Sequence, residues 1–262
     1  LTDIILANVT VDTLYKLTGL EVVEEIFGNF EVTIPETLDG IGVASNGVTW
    51  GLYRINATEV WALGFNGSGI RACVLDTGVE MNHPDLQGKM WTDNPSDPTF
   101  PGGWIEFDSS GNVVVGSTPH DTDGHGTHTS GTVLGGNASG VAIGVAPGAW
   151  LMHGLILPYG SGSFAQCIAG MQWAIGPFDQ YGNPAGERAH VVSMSWGAGG
   201  YQDQMMDPIK NMRAVGIIPV VAIGNNGEGS SSSPGNVYES FGIGAIDAYD
   251  SVAYFSSGEV VD

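Results

Sequence analysis

The chain has 262 residues and carries 7 Lys and Arg against 28 Asp and Glu, a formal net charge of −21. So acidic a chain lacks the basic surface needed to bind nucleic acid or an anionic membrane, which argues against both as partners. No apolar run approaches the ~20 residues of a membrane span, and the start at Leu1 without Met suggests an export signal that has been removed.

The first 48 residues are predicted to form a small α+β unit. The apolar pattern predicts strands at Ile4–Leu6, Val22–Phe27 and Phe30–Ile34, with a short helix at Val11–Leu17. A Gly-rich linker follows between residues 35 and 47. We expect residues 1–48 to precede a larger body that begins at residue 49.

From Trp50 onward, short apolar runs alternate with helical patterns. The runs predicted as strands are Ile70–Asp76, Ala149–Leu157, Val191–Trp196, Ile217–Ile223 and Phe241–Ile246. Helices are predicted at Phe164–Ile175, with Ser163 as the N-cap, and at Asp203–Val215, closed by Gly216. The alternation predicts an α/β fold with a mostly parallel sheet flanked by helices.

The polar residues that end the predicted strands are the first candidates for function. Ligands bind at the carboxyl ends of parallel strands, where Asp76, Asn225 and Ser195–Gly197 lie. A Gly-rich turn leads with His125 into a helix of small residues. A carboxylate at a rigid strand end can fix the tautomer of an imidazole, whose other nitrogen then takes a proton from a nucleophile. An amide at another strand end can stabilise an oxyanion.

Several short motifs, in one order along the chain, resemble the subtilisin family of serine endopeptidases. They lie between about Trp50 and Gly258 and comprise Val74–Gly78, His125–His128, Gly144–Pro147, Gly160–Gly162, Met194–Gly197 and Gly224–Asn225. The resemblance implies that Asp76 is the acid of a catalytic triad, His125 its general base and Asn225 an oxyanion donor.

The resemblance also implies two edges that pair with the backbone of an extended peptide or protein substrate. These edges are formed by Gly160, Ser161 and Gly162 on one side and by Ser195, Trp196 and Gly197 on the other. Trp196 stands where the family usually has a smaller aliphatic residue, which affects the shape of the substrate pocket.

The nucleophile motif of that family, Gly-Thr-Ser-Met-Ala-x-Pro, does not occur in this sequence. We therefore expect the serine beyond Asp262, a catalytic domain over residues 49–262 that is incomplete at its C-terminus, and no activity of this chain alone. A C-terminal fragment that supplies the nucleophile is a further expected partner. The resemblance implies a secreted zymogen whose residues 1–48 are the remnant of an inhibitory propeptide, cut near Ala44–Gly47.

The resemblance implies a structural calcium ion bound by Asp85. A hard cation needs several oxygen ligands, and the partner loop Gly136–Gly140 has Ala138 where a carboxamide is usual. The alternative that Asp85 is an ordinary carboxylate near a helix stays open at this point.

Zinc is an alternative ligand for the histidines near the candidate acid. His125 and His128 could hold it together with His120 or Asp123, although no Glu follows the first histidine. We expect instead that His128 packs on its helix, that no organic cofactor is bound, and that the cysteines at 73 and 167 are buried free thiols.

Two other functions remain open beside that of a protease. The missing serine motif would suit a non-catalytic protein, either a pseudoprotease that binds extended peptides or an inhibitor-like partner of a true protease. A zinc hydrolase is the third alternative, which loss of activity with a zinc-selective chelator would identify.

Overall fold

The computed structural model describes residues 4–35, 44–45 and 47–258. Its strands are β1 Glu31–Thr33, β2 Ala44–Ser45, β3 Val48–Thr49, β4 Arg71–Asp76, β5 Trp104–Glu106, β6 Trp150–Leu155, β7 Ser161–Ser163, β8 Val191–Met194, β9 Ala198–Gly199, β10 Ile218–Ala222, β11 Ser232–Ser233 and β12 Phe241–Ile243. Its α-helices are α1 Val11–Leu17, α2 Trp50–Arg54, α3 Ala57–Ala62, α4 His125–Leu134, α5 Phe164–Ile175 and α6 Met206–Ala214.

The centre of the fold is a six-stranded sheet in the order β12-β10-β8-β4-β6-β5. Every neighbouring pair in it is parallel, which confirms the predicted α/β class. All five strands predicted after Trp50 are present, each shorter than its apolar run. The carboxyl ends of β4, β8 and β10 therefore meet at one edge of the sheet.

Strand β4 shows why these runs are almost wholly apolar. Cys73 and Leu75 contribute to the core cluster that includes helix α5, whereas Ala72 and Val74 contribute to the cluster that includes Leu134 of α4. The alternation has the period of two expected of a strand covered on both faces. The cysteines at 73 and 167 are buried and free, as predicted.

Helix α5 has the predicted bounds, whereas α6 begins three residues later and ends one residue earlier than predicted. Ser163 caps α5 by accepting from the backbone N of Gln166, whose side chain accepts in return from the backbone N of Ser163. A 3₁₀ turn at Asp203–Met205 precedes α6. Pro208 lies in the first turn of α6, where a missing N–H costs no hydrogen bond, and Gly216 follows that helix with φ +84°.

The N-terminal region differs from the prediction in part. Helix α1 and the strand within Phe30–Ile34 are confirmed. The predicted strands Ile4–Leu6 and Val22–Phe27 are wrong, because neither run pairs with another strand. Ile5 and Val22 are 88% and 87% exposed, so no sheet neighbour covers their side chains. Most of the predicted linker, and part of the expected cleavage region, lies outside the described residues.

Candidate active site

The structure joins the first two candidate residues directly. Asp76 is the last residue of β4 and is fully buried, and His125 is the first residue of α4. Nδ1 of His125 lies 2.7 Å from Oδ1 of Asp76. Since a carboxylate can only accept, Nδ1 carries the proton, and Nε2 is left as the nitrogen that can take one.

Two further residues hold the carboxylate of Asp76. The backbone N of Thr77 donates to Oδ1 at 2.8 Å, and Oγ1 of Thr129 donates to Oδ2 at 3.0 Å. His125 and Thr129 are four residues apart on α4 and therefore share a face of the helix. One strand end and one helix thus fix the carboxylate and the imidazole together.

The charges around His125 raise its pKa above the ordinary value. Burial alone would lower that pKa, but the hydrogen bond and charge of Asp76, with the charges of Asp123 and Asp121, more than offset this effect. The acidic surroundings therefore stabilise the imidazolium that forms when Nε2 accepts a proton.

Glycines let the loop after β4 and the start of α4 approach closely. A Cβ on Gly126 would lie 2.1 Å from the carbonyl oxygen of Gly78, which itself has φ +112°. Asp121 joins the same two segments, because it accepts from Oγ1 of Thr77 and from the backbone N of Thr127, both at 2.8 Å.

Asn225 lies at the same edge of the sheet. It follows the end of β10, which is separated from β4 by β8 alone. At a strand spacing of about 4.8 Å, this places the two strand ends roughly 10 Å apart. Asn225 is half-buried, and its position after β10 places it on the same side of the sheet as the Asp76–His125 pair.

The two predicted substrate edges enclose a strand of the chain's own N-terminal region. β1 pairs antiparallel with β7, which contains Ser161 and Gly162, and it bridges to Gly197 on its other side. The backbones of Thr33 and Gly197 exchange hydrogen bonds of 3.2 and 3.0 Å, and the N of Ile34 donates to the O of Gly160 at 3.0 Å. The space between these two edges, called the cleft below, therefore holds an extended backbone in the structure itself.

The remaining two residues of the second edge differ in exposure. Ser195 is half-buried, whereas Trp196 is 1% exposed. The indole Nε1 of Trp196 donates to the carbonyl oxygen of Leu75 at 2.8 Å. Trp196 is thus held against β4, one residue before the candidate acid.

Asp85 lies apart from this site and is 2% exposed. Its Oδ1 accepts from the backbone N of Ser139 at 3.2 Å. Its Oδ2 is buried and has no hydrogen-bond partner within the described part of the chain. An unpartnered carboxylate oxygen beside the Gly136–Gly140 loop fits a hard cation, with Asp85 as one of its ligands.

The structure gives no support to zinc. The described ranges contain no group of three or more His, Cys, Asp or Glu that could hold a metal ion. The prediction that His128 packs on its helix is wrong, because its side chain is exposed. His125 and Thr129 of the same helix instead contact Asp76.

Sequence reasoning missed Thr129 as a part of the site and did not identify the residues with which β1 pairs. Thr129 could have been found from its position four residues after His125 on a predicted helix. The pairing of β1 could not, because its partners in β7 lie some 130 residues later in the chain, and no local pattern specifies such pairing.

Known proteins are similar to this chain over most of its length. The family model described as "Subtilase family" matches residues 67–262. Bacillopeptidase F of Bacillus subtilis is 37% identical over 222 residues, which is 81% of this chain and 15% of that protein. A thermostable alkaline protease of Halalkalibacterium halodurans is 31% identical over 257 residues, covering 97% of this chain and 60% of the relative. Subtilisin Savinase of Lederbergia lenta is 32% identical over 210 residues, covering 80% and 67%.

The chain thus spans 15% and 60% of the length of the first two of these relatives. Among the residues that the structure describes, no helix is long and apolar enough to cross a membrane.

Proposed function

The chain belongs to the subtilase family, and we propose that it is the part of a serine endopeptidase that orients the catalytic base and binds the substrate backbone. The observation that carries the proposal is the 2.7 Å contact between His125 and Asp76 beside a cleft that already holds an extended strand. The names of the protease relatives support the same reaction class.

In the proposed reaction, Nε2 of His125 takes the proton of a serine hydroxyl as that oxygen attacks the peptide carbonyl. Asp76 holds the imidazole in the required tautomer and stabilises the imidazolium. The amide of Asn225 donates to the oxyanion of the tetrahedral intermediate. His125 then returns the proton to the leaving amine. The serine is proposed to lie beyond Asp262, on a further segment of the protein.

We propose that a substrate binds as β1 does. The exchange of backbone hydrogen bonds with Gly160–Gly162 and with Gly197 requires no particular side chain, which suits an enzyme that accepts many sequences. Residues 1–48 are then an inhibitory segment that occupies the cleft until it is cut away, and an extended peptide or protein is the partner that replaces it.

The experiment is alanine substitution in the protein that extends through its serine. Asp76→Ala and His125→Ala should each reduce kcat for a peptide substrate by about 10⁴ or more. His128→Ala is the matched control, because His128 is exposed on the same helix and should keep full activity. Unchanged turnover in either of the first two variants would refute the assigned roles.

A non-catalytic peptide-binding protein is the second candidate. The absence of the serine motif from residues 1–262 favours it. A fluorophosphonate probe distinguishes the two, because it labels an activated serine. The extended protein should be labelled and its His125→Ala variant should not. Absence of labelling in the extended protein would favour the peptide-binding function.

We further propose that Asp85 binds a calcium ion, since its buried Oδ2 has no hydrogen-bond partner among the described residues.

We also propose that the protein is secreted, which rests on the family resemblance. Fractionating cells of the source organism tests this location, and recovery of the protein only from the cytoplasm would refute secretion.

A further inference from the structure

The strand in the cleft has an inward and an outward face. Val32 is fully buried and Ile34 is half-buried, and both pack on the main core cluster. Glu31 and Thr33, which alternate with them, are exposed. The period of two is that of a strand with one face covered. If a substrate replaces β1, its side chains at the positions of Val32 and Ile34 are the ones that the protein contacts.

The inward pocket at Val32 has little room. Val32 lies opposite Gly162 in the β1–β7 pair. The bridge between Thr33 and Gly197 continues the antiparallel register and places Ala198 opposite Val32 on the other side. A Cβ on Gly162 would lie 2.3 Å from a backbone oxygen of Ile156, so Gly162 is packed closely on that backbone, and the Val32 side chain beside it is fully buried.

The side chain of Ile34 lies between Gly160 and a wall that is fixed in position. A Cβ on Gly160 would lie 3.1 Å from Cδ1 of Ile34, so the space above Gly160 is filled by the isoleucine. The same register places Trp196 on the opposite side of Ile34. Because the indole of Trp196 is buried and donates to Leu75, this wall keeps its position.

We propose that the cleft selects peptides with β-branched aliphatic residues, valine or isoleucine, at these two inward positions. The inference rests on the proposed function and names its substrate class. β-branched side chains have few rotamers and favour extended backbone, so they lose little freedom on entering the cleft. A larger residue at the Val32 position overfills a pocket with rigid walls.

The test is peptide binding, which needs no nucleophile. Two variants of the full chain should release β1 from the cleft, each by a different change. Thr33→Pro removes the N–H that donates to Gly197, and Val32→Asp places a charge in a buried apolar pocket. Thr33→Ser keeps β1 in place and is the matched control. The ligand is a labelled peptide of sequence Phe-Glu-Val-Thr-Ile-Pro, and binding is followed by fluorescence anisotropy.

The peptide should bind both opened variants and not Thr33→Ser. Replacing its valine by tryptophan should weaken binding by about tenfold or more, while valine to isoleucine should leave it within about threefold. In the opened variants, Trp196→Leu should improve binding of a peptide with phenylalanine in place of the isoleucine. Equal binding of the valine and tryptophan peptides, or no binding to either opened variant, would overturn the inference.

Cleavage separates this inference from the proposed function. If the extended, serine-containing protein cleaves peptides without preferring valine or isoleucine, the selectivity fails and the protease function stands. If peptides bind selectively and are never cleaved, the selectivity stands and the protease function fails.

Discussion

His153 should control the acid stability of the central sheet. It lies on β6 between Val74 and Trp104 of the neighbouring strands and is fully buried. Its Nδ1 is 3.2 Å from Oγ of Ser130 on α4, and its ring stacks on Trp104. Its Nε2 is buried without a hydrogen-bond partner in the described part of the chain. A proton added at Nε2 would therefore have no hydrogen-bond acceptor among the described residues to stabilise it.

The expected loss of folding free energy follows from the pKa of His153. Burial lowers this pKa from 6.5 to about 4, although the charges of Asp76 and Asp121 act in the opposite direction. Each pKa unit corresponds to about 1.4 kcal/mol, so protonating His153 in the folded protein costs about 3 kcal/mol more than in the unfolded chain. The unfolded chain binds this proton below pH 6.5, the folded protein only below about pH 4. Stability should therefore fall as the pH drops through that window, and His153 should have no effect above it.

The assay is urea unfolding at about pH 7.5 and pH 4.5 for the wild type and His153→Gln. Carboxylates titrate alike in both proteins, so their contribution cancels in the difference. Between the two pH values the wild type should lose about 2–3 kcal/mol more of its free energy of unfolding than the variant. His128→Gln, at an exposed position, should behave as the wild type does. Equal acid-induced losses in the wild type and His153→Gln would refute the reasoning.

Three further outcomes follow from the site. Thr129→Val removes a donor from the buried carboxylate of Asp76 and should lower the free energy of unfolding by about 1–3 kcal/mol in urea, with kcat reduced. Asp123→Asn removes a charge that raises the pKa of His125; because the base acts when neutral, the acid limb of the kcat/KM profile should move to lower pH by roughly 0.2–0.5 units. Chelating calcium with EGTA should lower the Tm of the wild type, and Asp85→Asn should remove this response.

Each of these has a control and a contrary result. Thr129→Ser keeps the hydroxyl and should retain most of the stability, and a stable Thr129→Val would contradict the contact. Asp97→Asn, remote in sequence from His125, should leave the pH profile unchanged, and an equal shift in both variants would mean that Asp123 has no specific effect. A Tm of the wild type that EGTA does not alter would exclude calcium at Asp85.

The fold could be predicted where a short sequence pattern shows which faces of a segment are buried. A run such as Arg71–Asp76 is apolar on both faces because it is covered on both faces, so its position in a parallel sheet follows from composition. The run Ile4–Leu6 is equally apolar, and Val22–Phe27 is apolar apart from Glu24 and Glu25, but neither run has a partner strand. A strand exists only with a neighbour to bond to, and apolar composition does not supply one.

The site was predictable for a related reason. Asp76 and His125 are each placed by an element whose sequence signal is local, a strand end and a Gly-rich helix start, and the two elements are in contact. The strand within Phe30–Ile34 was predicted, but its partners were not, because its three residues pair with β7 and Gly197, which lie far along the chain.

Asn225 should act independently of the Asp76–His125 pair. Both oxygens of Asp76 are held by residues of the β4–α4 unit, and Asn225 lies beyond β8 at the end of β10. Asn225→Ala in the extended protein should therefore lower kcat by about 10²–10³, the loss typical of removing one oxyanion donor, a value itself taken from a subtilisin. The titration of His125, followed by NMR, should stay where it is. A changed His125 pKa together with the loss of kcat would mean that Asn225 acts through the pair rather than on the oxyanion.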